Sequence, residues 1–93
     1  MKEITNELLD KYFSITKEAL DKVTGNFDEQ RLSEAEDFFN MAKSYYDDAH
    51  YFREKGDFVR AFGAVYYAHA WLDAGARIRI FKVNDSRLFT VDD

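Results

Sequence analysis

His69, Asp73 and Arg77 recur at intervals of four, which on a helix sets an imidazole, a carboxylate and a guanidinium along one face. An Asp one turn from a His can orient the ring, and a following Arg can hold an anionic group. Such a ladder suits a small-ligand, anion-binding or enzymatic site. The same spacing has a structural reading, in which His69 is buried and bonded to Asp73. Arg77 then pairs with Asp73 and Glu36, so that every polar group is satisfied within the ladder. No catalytic residue is assigned on this spacing.

Other chemistry-bearing sets are thinner. Asp47, His50 and Glu54 share a face of a second helix, but a di-iron bundle needs further carboxylates and a second His from facing helices. His69 does not supply it, being displaced axially by about 10 Å at 1.5 Å per residue. We therefore expect a solvated face there, with no metal and no cofactor. Tyr45, Tyr46, Tyr51, Tyr66, Tyr67 and Trp71 form an aromatic region suited to a core or a protein interface. Aromatics interleaved with Arg can bind single-stranded nucleic acid, but acidic surroundings disfavour that partner. No glycine-rich phosphate loop, Ser–His–Asp set or zinc spacing is present.

Charge and composition narrow the field further. The net charge of −5 opposes a general nucleic-acid or anionic-membrane surface. It is uneven: residues 1–57 carry 8 basic and 14 acidic side chains, whereas residues 58–93 carry 5 and 4. Arg77, Arg79, Lys82 and Arg87 cluster in that second part, either complementing a helix C-terminus or forming an anion site. With no Cys there is no disulfide, thiolate metal site or Cys nucleophile. The first seven residues lack a signal-peptide pattern, and the apolar stretch from Ala61 to Leu72 is too short to span a bilayer. The expectation is a cytoplasmic protein without a membrane partner.

These residues need helices to position them. At 93 residues, 46% hydrophobic and 17% aromatic, the chain supports a single domain with one core. The absence of Pro removes the commonest helix breaker. The periodicity predicts an all-α, antiparallel up-down-up three-helix bundle, with helices over about 6–24, 28–55 and 57–81 and a short extended tail over 82–93. Leu8, Tyr12, Ile15, Ala19 and Val23 mark the buried face of the first helix. Asp28 caps the second, with Phe27 and Leu32 as a hydrophobic staple. Its seam is Ala35, Phe38, Ala42, Tyr45, Ala49 and Phe52. Lys55-Gly56-Asp57 closes one helix and caps the next, forcing a hairpin in which facing residue numbers sum to roughly 112.

The third helix is apolar nearly all round. Opposite Phe58, Val65 and Leu72 lie Tyr67, Trp71 and Ile78, a second stripe that either core or a partner must cover. Leu88, Phe89 and Val91 follow the turn Asn84-Asp85-Ser86 and are expected to pack back on the bundle.

The segment Lys55-Gly56-Asp57-Phe58-Val59-Arg60-Ala61, followed by Tyr67-Ala68-His69-Ala70-Trp71-Leu72-Asp73-Ala74-Gly75-Ala76-Arg77, resembles the short archaeal proteins called domain of unknown function 357. The closing Leu88-Phe89-Thr90-Val91 is similar to that family's end, and the likeness is strongest over residues 45–91. The resemblance implies a small helical bundle from an archaeon and carries no activity. The hairpin is also similar to one tetratricopeptide unit, which cannot stack alone. It is similar as well to the helical nucleotide-binding domains shared by prokaryotes and higher eukaryotes. Their ribonuclease signature of Arg, four to six residues, then His is absent, because eight residues separate Arg60 from His69.

Two functions from different classes follow. One is a non-enzymatic interaction or self-assembly module, a homodimer or a binder of another protein, whose interface is Tyr67, Trp71 and Ile78. The other is a ligand or enzymatic site at His69, Asp73 and Arg77.

Overall fold

A computed structural model describes residues 3–91. Met1 and Lys2, part of the segment read for a leader, lie outside the described residues, as do Asp92 and Asp93 at the end of the expected tail. Three helices pack as an all-α bundle: α1 (Asn6–Val23), α2 (Leu32–Glu54) and α3 (Phe58–Arg77). A single 3-10 turn, Glu29–Arg31, precedes α2, and no strand forms among the described residues.

Each helix begins and ends for a local reason. The Thr5 side chain accepts from the Leu8 amide, 3.1 Å away, satisfying a donor that α1 leaves open. Gly25 follows α1 and Gly56 follows α2, with φ of 81° and 78°, in the left-handed region that costs glycine nothing. Asp57 caps α3 through the Arg60 amide at 3.1 Å. The three-residue link holds α2 and α3 antiparallel. Alanines at seven-residue spacing, Ala35, Ala42 and Ala49 on α2 and Ala61 and Ala68 on α3, are fully buried. Small residues at that period let the two helices approach closely along their whole length.

Helix α1 packs chiefly on α3, which makes α3 the central helix. Its buried side chains are Leu9, Phe13, Thr16, Ala19, Leu20 and Val23. Of the expected face, Ala19 and Val23 are buried, whereas Leu8, Tyr12 and Ile15 are half-buried and lie one residue round from Leu9, Phe13 and Thr16. Both stripes are apolar, so periodicity alone leaves the rotation open. The deeper one faces the core, and the other borders the groove between α1 and α3.

Two expectations at the ends of α2 and α3 need correction. Phe27 and Leu32 do not form a staple: Leu32 is exposed, and the Phe27 ring packs on Phe39 and Phe81. Asp28 caps the 3-10 turn through the Gln30 amide at 3.0 Å. Helix α3 also stops at Arg77 rather than Phe81. The Arg79 amide donates to the Ala76 carbonyl and the Ile80 amide to the Gly75 carbonyl, at 3.1 and 3.0 Å. This is the Schellman arrangement, which turns the chain out of the helix. Phe81 then comes back beneath the helix end and pairs with Phe27 in an isolated antiparallel bridge.

The residue that turns the chain is Arg79, at φ 66°, where a side chain is disfavoured and glycine is usual. Arg79→Gly should therefore raise stability by roughly 1 kcal/mol, seen as a higher urea midpoint at unchanged slope. A lower midpoint would show that the Arg79 side chain contributes more to the fold than its backbone costs.

Candidate functional site

The ladder on α3 is split among three partners. His69 is half-buried, with Nδ1 3.0 Å from the Thr16 hydroxyl of α1 and Nε2 2.6 Å from the Leu88 carbonyl. A carbonyl only accepts, so Nε2 donates to it; in the neutral ring Nδ1 then accepts from Thr16. Both ring nitrogens are thus spent, and the expected bond from His69 to Asp73 is not made. Asp73 turns instead to Thr90, accepting from its hydroxyl at 2.8 Å and also from its amide. Arg77 sits exposed in the last turn of α3.

The reason is the tail. The segment 82–91 crosses the groove between α1 and α3, with a turn at residues 86–88 and with Leu88 and Phe89 buried. It brings carbonyls, amides and a hydroxyl to a face that helix geometry alone would leave to the ladder. Arg87 adds a forked pair to Glu18 of α1. That guanidinium holds the Glu18 carboxyl below its usual range, and the carboxylate raises Arg87 in turn. Both are exposed, so the pair orients the tail more than it stabilises it. A cleft of about 270 Å³ remains, bordered by Tyr12, Thr16, Tyr66, His69 and Asp73. With the imidazole and carboxylate engaged by the protein itself, this constellation fastens a strap.

The second stripe of α3 also divides. Trp71 is half-buried, edge-on to Phe38 of α2 with ring centroids 5.0 Å apart. Tyr67 packs edge-on to Tyr45 at 4.5 Å, as the hairpin register predicts, yet 46% of it stays exposed. Ile78 remains 44% exposed. Helix α2 thus covers much of Trp71 and leaves Tyr67 and Ile78 on a surface.

That surface has members the periodicity did not single out. Val59 is 72% and Tyr66 56% exposed, and Gly63, Ala70 and Ala74 are exposed between them. Tyr66 leans toward Tyr12 of α1 and Tyr67 toward Tyr45 of α2. The outer face of α3 is therefore a floor of small residues between two tyrosines. The available signal was Gly63. A glycine inside a helix costs about 1 kcal/mol against alanine, and nothing lies within 4 Å of the Cβ it lacks.

Asp47, His50 and Glu54 do not converge, and no cluster of three metal-ligating side chains occurs among the described residues. His50 instead packs its ring on Phe13 and Tyr46, at centroid distances of 4.4 and 4.8 Å. No helix among the described residues is long and apolar enough to cross a membrane.

Comparison with known proteins adds one finding. The family model described as a protein of unknown function (DUF357) matches residues 11–81. The match takes in most of α1, which the resemblance noted above left aside, and stops before the tail. No curated protein and no solved structure matches the chain.

Proposed function

We propose that this chain, which belongs to the DUF357 family, is a non-enzymatic interaction module that docks through the outer face of α3, first of all onto a second copy of itself. The observation that carries this reading is the exposed run of Val59, Gly63, Tyr66, Tyr67, Ala70 and Ala74, about four helical turns without an acidic side chain at their centre. Exposed helix faces in a small domain are normally charged. A contiguous apolar face marks a contact surface, and twofold pairing is the commonest way to hide one. Gly63 fits the same reading, because its missing side chain lets another helix come close. We place the module in the cytoplasm, in keeping with an acidic chain that has no Cys.

Light scattering tests it. The molar mass of the wild type should climb from monomer toward dimer across the micromolar range. Gly63→Gln should stay monomeric while melting no lower, since glutamine favours the helix and the site is open. A wild type that remains monomeric at every concentration removes self-association. A Gly63→Gln variant that dimerises like the wild type moves the interface elsewhere.

A further inference from the structure

The contacts that seat the tail address its backbone. His69 Nε2 donates to the Leu88 carbonyl at 2.6 Å, and Asp73, one turn along α3, accepts from the Thr90 amide. A donor and an acceptor four residues apart thus clamp one short stretch of main chain. Asp73 also accepts from the Thr90 hydroxyl at 2.8 Å. Beside the clamp, Leu88 and Phe89 are buried. The clamped element is a turn that holds itself. The Asp85 carbonyl accepts from the Leu88 and Phe89 amides at 3.0 and 2.9 Å, and its carboxylate from the Arg87 amide at 3.0 Å.

This turn is separable from the body it closes. Phe81 is locked on Gly75, and the Lys82 amide donates to the Asn26 carbonyl at 2.6 Å. Between residues 83 and 87 no side chain is fully buried, and the pair of Arg87 with Glu18 is exposed and contributes little. Residues 83–91 can therefore lift without unseating the end of α3. The tail also underfills its groove. A cleft of about 270 Å³ stays open beside it, bordered by Tyr12, Ile15, Tyr66 and Ala70. Protein interiors are close-packed, so a segment that only completed the core would leave no such space. His69 and Asp73 lie within the stretch that the DUF357 model matches, and the tail lies beyond it.

We propose that the groove between α1 and α3 is a peptide-binding site kept closed by the chain's own tail. Its ligand is a short turn of another protein that carries two bulky apolar residues followed by Ser or Thr. The tail is the template for that chemistry. The apolar pair takes the places of Leu88 and Phe89, the clamp fixes the register, and a hydroxyl donates to Asp73. An Asp at the head of the turn holds the segment in its bound shape, which lowers the cost of ordering it. A second copy offers the same turn only after its own tail is freed, so two closures oppose that occupant and one opposes a foreign segment. The site stands apart from the face of α3 proposed for self-association.

The probe is a synthetic peptide with the sequence of residues 84–91, titrated into full-length protein labelled with nitrogen-15 and followed by amide shifts. Arg87→Glu with Thr90→Pro opens the chain, setting a carboxylate against Glu18 and removing both Thr90 contacts to Asp73. Both positions are exposed, so the body should keep its fold, which the α2 amides report. If they shift broadly, Thr90→Pro alone carries the same comparison. Saturable shifts at residues 12–16 and 66–73 are expected in the opened chain, with a dissociation constant of about 100 μM. The wild type should bind about tenfold more weakly, because its tethered tail competes at an effective concentration of about a millimolar. Asp73→Ala in the opened chain should weaken binding about tenfold, as should replacing the peptide's Leu and Phe by Ser. Shifts that fail to saturate, equal affinity of the wild type and the opened chain, or binding indifferent to Asp73→Ala overturn the site. Self-association that vanishes in the opened chain yet persists in Gly63→Gln gives the groove to a second copy's tail and overturns the assignment to another protein.

Discussion

Gly75→Ala should destabilise the protein by about 3 kcal/mol, the largest loss expected from adding a single methyl group to this chain. Gly75 is buried in the last turn of α3, and the Phe81 ring lies directly against it. A Cβ there would overlap Cδ2 and Cε2 of that ring and sit 3.2 Å from Cζ. The ring has little freedom to retreat. Phe81 is 1% exposed, packs on Phe27, and is tied by its amide to the Gly75 carbonyl at 3.2 Å. Its neighbours fix the chain on either side, the Ile80 carbonyl accepting from Asp28 and the Lys82 amide donating to Asn26. Pushing the ring out thus pulls on the link between α1 and α2 as well as on the end of α3.

Gly63→Ala is the internal control for that substitution. It makes the same chemical change in the same helix, at a site with nothing within 4 Å. With both variants measured as monomers, helix propensity then decides alone, and alanine should gain about 1 kcal/mol. Two glycine-to-alanine changes twelve positions apart should therefore move the melting temperature in opposite directions, by about 4–8 °C per kcal/mol in a domain of this size. A neutral Gly75→Ala would mean that Phe81 does not seat on the helix backbone.

The two glycines also show what could be read from the sequence. Three helices, their hairpin order and the turns at Gly25 and Gly56 follow from periodicity and capping, which are local, and the structure has them. Tyr45 meets Tyr67 because a three-residue link fixes the register of α2 against α3. What escaped depends on contacts distant in sequence. The end of α3 is set by a left-handed Arg79, which has no composition signal, and by Phe81 folding back onto Gly75. The rotation of α1 is set by which of two apolar stripes α3 selects. The ladder was assigned partners from its own helix and α2, whereas the groove fills with a tail whose polar groups lie 17 and 19 residues further on.

His69→Ala is the change that separates a strap from a ligand site, and it should cost about 1–3 kcal/mol. The ring links α1 to the tail: Thr16, 1% exposed, loses the partner of its hydroxyl, and the Leu88 carbonyl loses its donor. Leaving a buried polar group unmet is what makes such a loss large, so removing the second group should recover part of it. Thr16→Val in the His69→Ala background should accordingly cost less than Thr16→Val alone, a coupling that a double-mutant cycle reads directly. Hydrogen exchange gives the spatial test. Amides at residues 86–91 should exchange faster in His69→Ala while those at the centre of α2 keep their protection relative to global stability. Asp73→Ala, which removes both contacts to Thr90, should loosen the same residues. Unchanged exchange in the tail, with stability intact, would mean that His69 does not fasten it and would return the imidazole to the cleft as a group available to a ligand.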